Sequence, residues 1–156
     1  MGRRLFCEIS PFTYELSVWK QRSQRYLRWL LSWRRYARAK AAQSLPLVVY
    51  THASLIRRTL GQVNMTLQEN KAVNLALSAP RVDGVLIRPG ETFSFWRLVG
   101  RTTKRRGYRD GLTLAGGKTA QGVGGGLCQF TNLLHWLALH SPLTVSEYHH
   151  HDQYDL

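Results

Sequence analysis

A cysteine stands directly behind a glycine run in "GVGGGLCQFTNLLHWLALHSPL", residues 122–143. Apolar residues with helical spacing follow it. They predict a helix that opens at Cys128 or Gln129, runs to about His140 and closes before Pro142. The first N–H groups of a helix have no intrahelical acceptors, and the macrodipole makes that end partly positive. A thiol placed there gives up its proton more readily and becomes a nucleophile. Gly124, Gly125 and Gly126 shape the turn and clear space in front of the sulfur. The N–H groups of Cys128 and Gln129 suit an oxyanion, with the Gln129 side chain as a further donor. A thiol nucleophile needs a base, usually histidine. "LTVSEYHHH" reads as a strand on which His149 and His151 share a face and His150 points the other way. Cysteine at a helix start with histidine on a following strand is the element order of papain-like and transglutaminase-like thiol enzymes, an analogy of arrangement. Asp152 and Asp155 stand where an orienting group would follow.

The same residues have a plainer reading. Free cysteine is among the most buried residue types and is often inert packing. Glycines before a helix make an ordinary turn, and histidines near a terminus are often solvated. Cys128 and His135 share a helix face, but the three adjacent histidines lack ligand spacing, so no metal is expected. "GVGGGLCQF" lacks the Lys-Ser/Thr of a phosphate-binding loop, and no cofactor is expected.

The elements that position these residues are a mixture of helix and strand. Trp19, Tyr26, Leu30, Trp33 and Ala37 repeat at helical spacing and predict one basic amphipathic helix over 17–42. "LPLVVYTH" predicts a short strand. A helix over 68–78 stops before Pro80. "GVLIRPGETFSFWRLVG" predicts a strand, a Pro89–Gly90 turn and a second extended aromatic piece. "TTKRRGYRDG" is a basic loop and "LTLAGGK" a strand. The order implies an α+β fold: a small mixed sheet packed with helices, Cys128 at the N-terminus of a central helix, and the basic helix in front. The division expected is an N-terminal helical region, 1–44, and a domain, 45–156.

The chain has 156 residues, a length that suits one domain. Its formal charge is +13, and residues 1–40 hold ten basic against two acidic residues. Such an arm suits an anionic membrane surface, a cell-wall polymer or nucleic acid. A solvated face or packing on the domain explains it equally. No nucleic-acid-reading motif is present, and no nucleic-acid partner is expected. The two cysteines, Cys7 and Cys128, form no disulfide framework, so a reducing compartment is the simpler reading. No apolar run is long enough for a spanning helix, and the N-terminus lacks a signal-peptide core. The expected location is the cytoplasm, with peripheral contact at the inner face of the membrane.

"RPGETFSFWRLVG", "GYRDGLTLAGGK", "GGGLCQFTNLLHWLALHSPLTV" and "EYHHH", in that order, resemble the VanW-like family of bacterial proteins. "QENKAVNLALSAPRVDGVLIRPGETFSFW" is similar to the family's N-terminal part. The resemblance runs from about Leu45 to the end. It implies association with cell-wall metabolism and glycopeptide (vancomycin) resistance rather than an assigned reaction. The family's glycines fall on Gly124, Gly125 and Gly126, its cysteine on Cys128, its glutamine on Gln129 and its histidine on His151, with His149 often polar. Glu91 and Ser94 lie in its Pro-Gly-Glu-x-Phe-Ser-Phe motif. Family members usually continue with further strands, so the domain reads as shortened at "HDQYDL". The function expected is a cysteine-dependent amide hydrolase or acyltransferase on cell-wall peptide or its precursors. In that reading Arg109 and its loop hold an anionic substrate. A non-catalytic cell-wall or envelope binding module is the alternative.

Overall fold

The computed structural model describes residues 6–32, 35–57, 65–115 and 118–147. Helix α1 (Pro11–Leu31) begins where Ser10 and Thr13 close a capping box. The Thr13 N–H donates to Ser10 Oγ at 3.2 Å, and the Ser10 N–H donates to Thr13 Oγ1 at 3.0 Å. Pro11 sits at N1, where its missing N–H costs nothing. The helix therefore starts earlier than position 17, and it ends well short of 42. Past it the backbone turns to distant partners. Thr92 N–H donates to Arg35 O, Ala37 N–H to Thr92 O, Leu86 N–H to Ala39 O and Ala41 N–H to Gly84 O, at 2.6–3.0 Å. Ala37 is 1% exposed. A helix through 42 would forfeit these bonds and bring Ala37 into solvent.

Helix α2 (Met65–Val82) runs through Pro80 rather than stopping before it. Proline removes one bond, and the helical frame is recovered at once, since Asp83 N–H donates to Ala79 O at 2.9 Å. Lys40 Nζ holds the Pro80 carbonyl at 2.5 Å. The second extended aromatic piece is instead a short helix, α3 (Phe95–Val99), stopped at Gly100. Arg106 accounts for its end, donating to Val99 O at 2.8 Å and to Arg101 O at 2.6 Å. The basic loop contains a 3₁₀ turn, Lys104–Arg106.

Strands β1 (Asp110–Ala115) and β2 (Lys118–Val123) form an antiparallel hairpin, with Gly111 opposite Gly122. The second strand has no counterpart in the sequence reading. Helix α4 (Leu127–Leu139) follows, close to its expected bounds. The architecture is α+β, as expected. Three stretches expected as strands are not strands, and the one before the Pro89–Gly90 turn makes only an isolated bridge, Val85 to Lys40. Residues 45–52 find no sheet edge, and Leu47, Val48 and Val49 are exposed. Residues 143–147 likewise join no strand, and 148–151 lie outside the described residues. β-rich composition does not make a strand without a partner edge. The core gathers Val82, Phe95, Val99, Tyr108 and Leu127, with Phe130 meeting Phe95 edge-on at 5.5 Å.

Candidate functional site

The glycine turn joins β2 to α4, and a buried amide fixes it. Asn74 of α2 is fully buried. Its Nδ2 donates to Arg109 O at 3.0 Å and to Gly125 O at 2.9 Å, while its Oδ1 accepts from the Arg109 N–H at 2.8 Å. Gly124 N–H donates to the same Arg109 carbonyl at 2.9 Å. One helical turn on, Ser78 Oγ donates to Asn74 O at 2.9 Å and meets the Tyr108 hydroxyl at 3.1 Å. Asn70 Nδ2 donates to Asp110 O at 2.8 Å. Side chains of α2 thus hold the start of β1 and the turn before α4 in one place.

Glycine is required here by contact as well as conformation. A Cβ on Gly125 would lie 2.1 Å from the Gly111 carbonyl carbon. Gly126, the N-cap of α4, has φ +88, and a Cβ there would lie 2.3 Å from Lys71 Cγ. The backbone of the turn therefore lies flat on β1 and under the Lys71 stem.

Cys128 is the second residue of α4 and its thiol is exposed. That placement agrees with the sequence reading, in the first turn where N–H donors lack intrahelical acceptors. Of the two amides expected to face an oxyanion, that of Gln129 is already engaged, donating to Gly126 O at 3.3 Å. The Gln129 side chain is engaged too: Nε2 donates to Ser54 Oγ and to Leu55 O, both at 2.7 Å.

That contact belongs to a longer one. Residues 50–57 run along α4 as a strap. Tyr50 stacks on His140 at 4.0 Å and its hydroxyl accepts from Trp136 Nε1 at 3.0 Å. The His52 ring lies 5.9 Å from that of Trp136. Arg57 closes the strap with a two-pronged ion pair to Glu69, at 2.6 and 2.9 Å. The guanidinium holds the Glu69 carboxyl below its usual range through this hydrogen bond, and the carboxylate in turn raises the guanidinium's affinity for the proton. Both groups are solvent-facing, so salt screens the pair and acid removes it. Gln129→Ala is expected to loosen the strap without unfolding the domain. Cleavage by trypsin after Arg57 should then quicken about fivefold or more, with helix content unchanged by circular dichroism. Unaltered cleavage would mean that Gln129 does not hold the strap.

The structure thus brings Cys128, Gln129, Gly124, Gly125, Gly126 and the Arg109 backbone together. The Arg109 side chain is exposed. Glu91 is used locally: its carboxylate accepts from the Arg88 N–H at 2.9 Å and closes its own turn. Ser94 stands at the N-cap of α3, its carbonyl accepting from Arg97 and Leu98 N–H at 3.1 Å. Neither has a described contact with Cys128. His149, His150, His151, Asp152 and Asp155 lie outside the described residues. The described histidines are set further along α4: His135 lies about 10 Å past Cys128 along the helix axis, and His52 and His140 gather around Trp136 beyond it. No metal-binding group occurs among the described residues. The sequence reading missed Asn74, Ser78 and Tyr108, although two polar residues four apart in an apolar helix mark a buried face with a fixed partner.

What these elements define is an α+β domain with an exposed cysteine at a helix start behind a glycine turn clamped from within. The VanW like protein family matches residues 70–155, and the chain belongs to it. Two curated proteins are similar to it. One is the Vancomycin B-type resistance protein VanW of Enterococcus faecalis (strain ATCC 700802 / V583), 48% identical over 111 residues, which are 70% of this chain and 40% of that protein. The other is the Uncharacterized protein YoaR of Bacillus subtilis (strain 168), 38% identical over 66 residues, 42% of this chain and 22% of that protein. The chain thus spans less than half the length of either curated relative. No solved structure matches it.

Proposed function

We propose that this protein acts in bacterial cell-wall metabolism linked to vancomycin resistance, as a thiol-dependent amide hydrolase or acyltransferase on cell-wall peptide or its precursors. Membership of the VanW-like family and the likeness to a vancomycin-resistance protein support the setting. One observation carries the chemistry: the only cysteine of the family-matched region is exposed in the first turn of α4, behind a turn fixed by a buried clamp. In this reading the Cys128 thiolate attacks a substrate carbonyl, and the acyl group passes to water or an amine. His151 or His149 takes the thiol proton and returns it to the leaving amine. The Cys128 N–H supports the oxyanion. Arg109, exposed beside the turn, meets an anionic substrate group. The reaction is placed on the cytoplasmic side, where a free thiol persists.

The alternative, a binding module without catalysis, also has an observation in its favour. The Gly125–Gly111 contact accounts for the glycine turn by packing alone. Alkylation separates the two. In a Cys7→Ser background, Cys128 of the folded chain should react with iodoacetamide at neutral pH at least about fivefold faster than the same thiol of the urea-unfolded chain. Cys128→Ser should keep the fold and abolish turnover of cell-wall peptide followed by mass spectrometry. Alkylation no faster than in the unfolded chain, with peptide binding intact in Cys128→Ser, would support the binding module instead.

A further inference from the structure

Helix α1 buries none of its residues. Six of its apolar side chains nevertheless fall on one face, while Tyr14, Val18 and Trp29 lie elsewhere around it. Phe12, Leu16, Trp19, Tyr26, Leu27 and Leu30 lie within about 70° of a common line at 100° per residue. All six are exposed, Phe12 at 76%, Trp19 at 67% and Leu30 at 70%. Scattered apolar residues on a surface need no explanation, but six on one face of a single helix, broken only at Ser23, do. The contacts that fix α1 come from its other side. Arg25 forms a two-pronged ion pair with Glu147, at 2.5 and 2.8 Å, and Arg97 Nη1 donates to Trp29 O at 3.0 Å. Arg25 and Trp29 lie more than about 100° around the helix from the centre line of the stripe. The stripe therefore faces away from the body that holds the helix.

The charge around the stripe selects its partner. Lys20 and Arg22 flank it on either side, Arg28 lies farther round, and Glu15 is the one acid of the helix. All four are exposed. We propose that α1 docks, lying flat, on an anionic lipid bilayer surface. The stripe enters at headgroup depth, with Trp19 and Tyr26 at the boundary their amphipathic rings favour. The flanking cations meet lipid phosphates. The helix lies on the bilayer rather than crossing it, because no helix among the described residues is long and apolar enough to span. A second copy of the chain fits less well, since each brings the same basic flanks and a net +13. Nucleic acid would use the cations but would leave the apolar stripe in water. The proposal is independent of any chemistry at Cys128.

The test is co-sedimentation of the full chain with vesicles of equimolar phosphatidylglycerol and phosphatidylcholine, against phosphatidylcholine alone. The full chain should pellet with the first and not the second, and added salt should release it. Trp19→Glu with Leu30→Glu should lower partitioning at least about tenfold, and Leu30→Gln by less. Neither should change helix content, as no α1 side chain is buried. Arg22→Glu with Arg28→Glu should weaken binding and flatten its salt dependence. Failure to pellet with anionic vesicles overturns the proposal. So does binding indifferent to the stripe variants, as a nucleic-acid arm would show. A concentration-dependent dimer abolished by those variants, with no vesicle binding, overturns it in favour of a copy-to-copy interface.

Discussion

Gly125→Ala should be the most damaging single methyl group in this chain. The new Cβ would stand 2.1 Å from the Gly111 carbonyl carbon and 2.3 Å from its oxygen. Both are backbone atoms, so no rotamer change relieves the clash. Gly111 is held in register opposite Gly122, and the neighbouring Arg109 backbone is clamped by Asn74, so the strand cannot retreat without breaking bonds. Overpacking commonly costs 1–3 kcal/mol when side chains can adjust, and here about 3 kcal/mol or more is expected. Urea denaturation should show a large fall in midpoint or no folded baseline. Gly122→Ala in the same hairpin is the control. Its Cβ would meet the Thr113 side chain, the methyl at 3.3 Å and the hydroxyl at 3.5 Å, and its effect should stay within about 1 kcal/mol. Equal midpoints for Gly125→Ala and the parent would show that the turn does not lie on β1 as described.

This result bears on what a glycine run before a cysteine means. The sequence reading assigns Gly124, Gly125 and Gly126 to shaping the turn and clearing space in front of the sulfur, with an ordinary turn as the plainer reading. The structure gives them an earlier task, letting the turn touch β1, Thr102 and Lys71. The two roles are compatible, since the same contact sets where α4 begins and so where the thiol stands. They differ in what substitution does. A substrate-clearing glycine would cost turnover and leave stability alone, whereas a packing glycine costs stability first.

Some of the architecture was legible because it rests on local signals. The bounds of α4 follow from an apolar period and Pro142, and Cys128 at its start follows from the glycines. The start of α1 was equally local and was overlooked: Ser10, Pro11 and Thr13 together form a capping signal. Other features depend on partners far along the chain. Residues 35–41 have the composition of a helix, yet their backbone groups serve Gly84–Leu86 and Thr92. Residues 45–52 have the composition of a strand, yet meet α4 through Tyr50 and His52, as Ser54 does just beyond. Propensity is a weak prior that tertiary contacts override. Within the candidate site, the thiol and the turn were visible, but the Asn74 clamp spans 35 residues to Arg109 and 51 to Gly125, which no spacing rule reaches.

Asn74→Ala tests that clamp. The substitution removes three hydrogen bonds at a fully buried position. Two backbone groups lose a partner that no other described residue replaces, the Arg109 N–H and Gly125 O. Arg109 O keeps the Gly124 N–H. A buried group left unsatisfied costs about 1–3 kcal/mol, so a loss of about 3 kcal/mol is expected, read as a lower urea midpoint. Asn74→Asp gives a sharper signature. The introduced carboxylate cannot donate to the two carbonyls that Nδ2 serves, whereas the protonated acid can donate to one. Burial beside carbonyl oxygens therefore raises that carboxyl's affinity for the proton in the folded state above its unfolded value. The folded state then binds more protons than the unfolded one, so stability relative to the parent falls as pH rises from acid toward neutral. Asn74→Ala should show no such trend. A flat difference for Asn74→Asp would mean that the side chain reaches water and the clamp is not closed. Because Gly125 and Asn74 serve the same contact, the double substitution Gly125→Ala with Asn74→Ala should cost less than the two losses added. A turn already lifted from β1 has little left for the amide to hold.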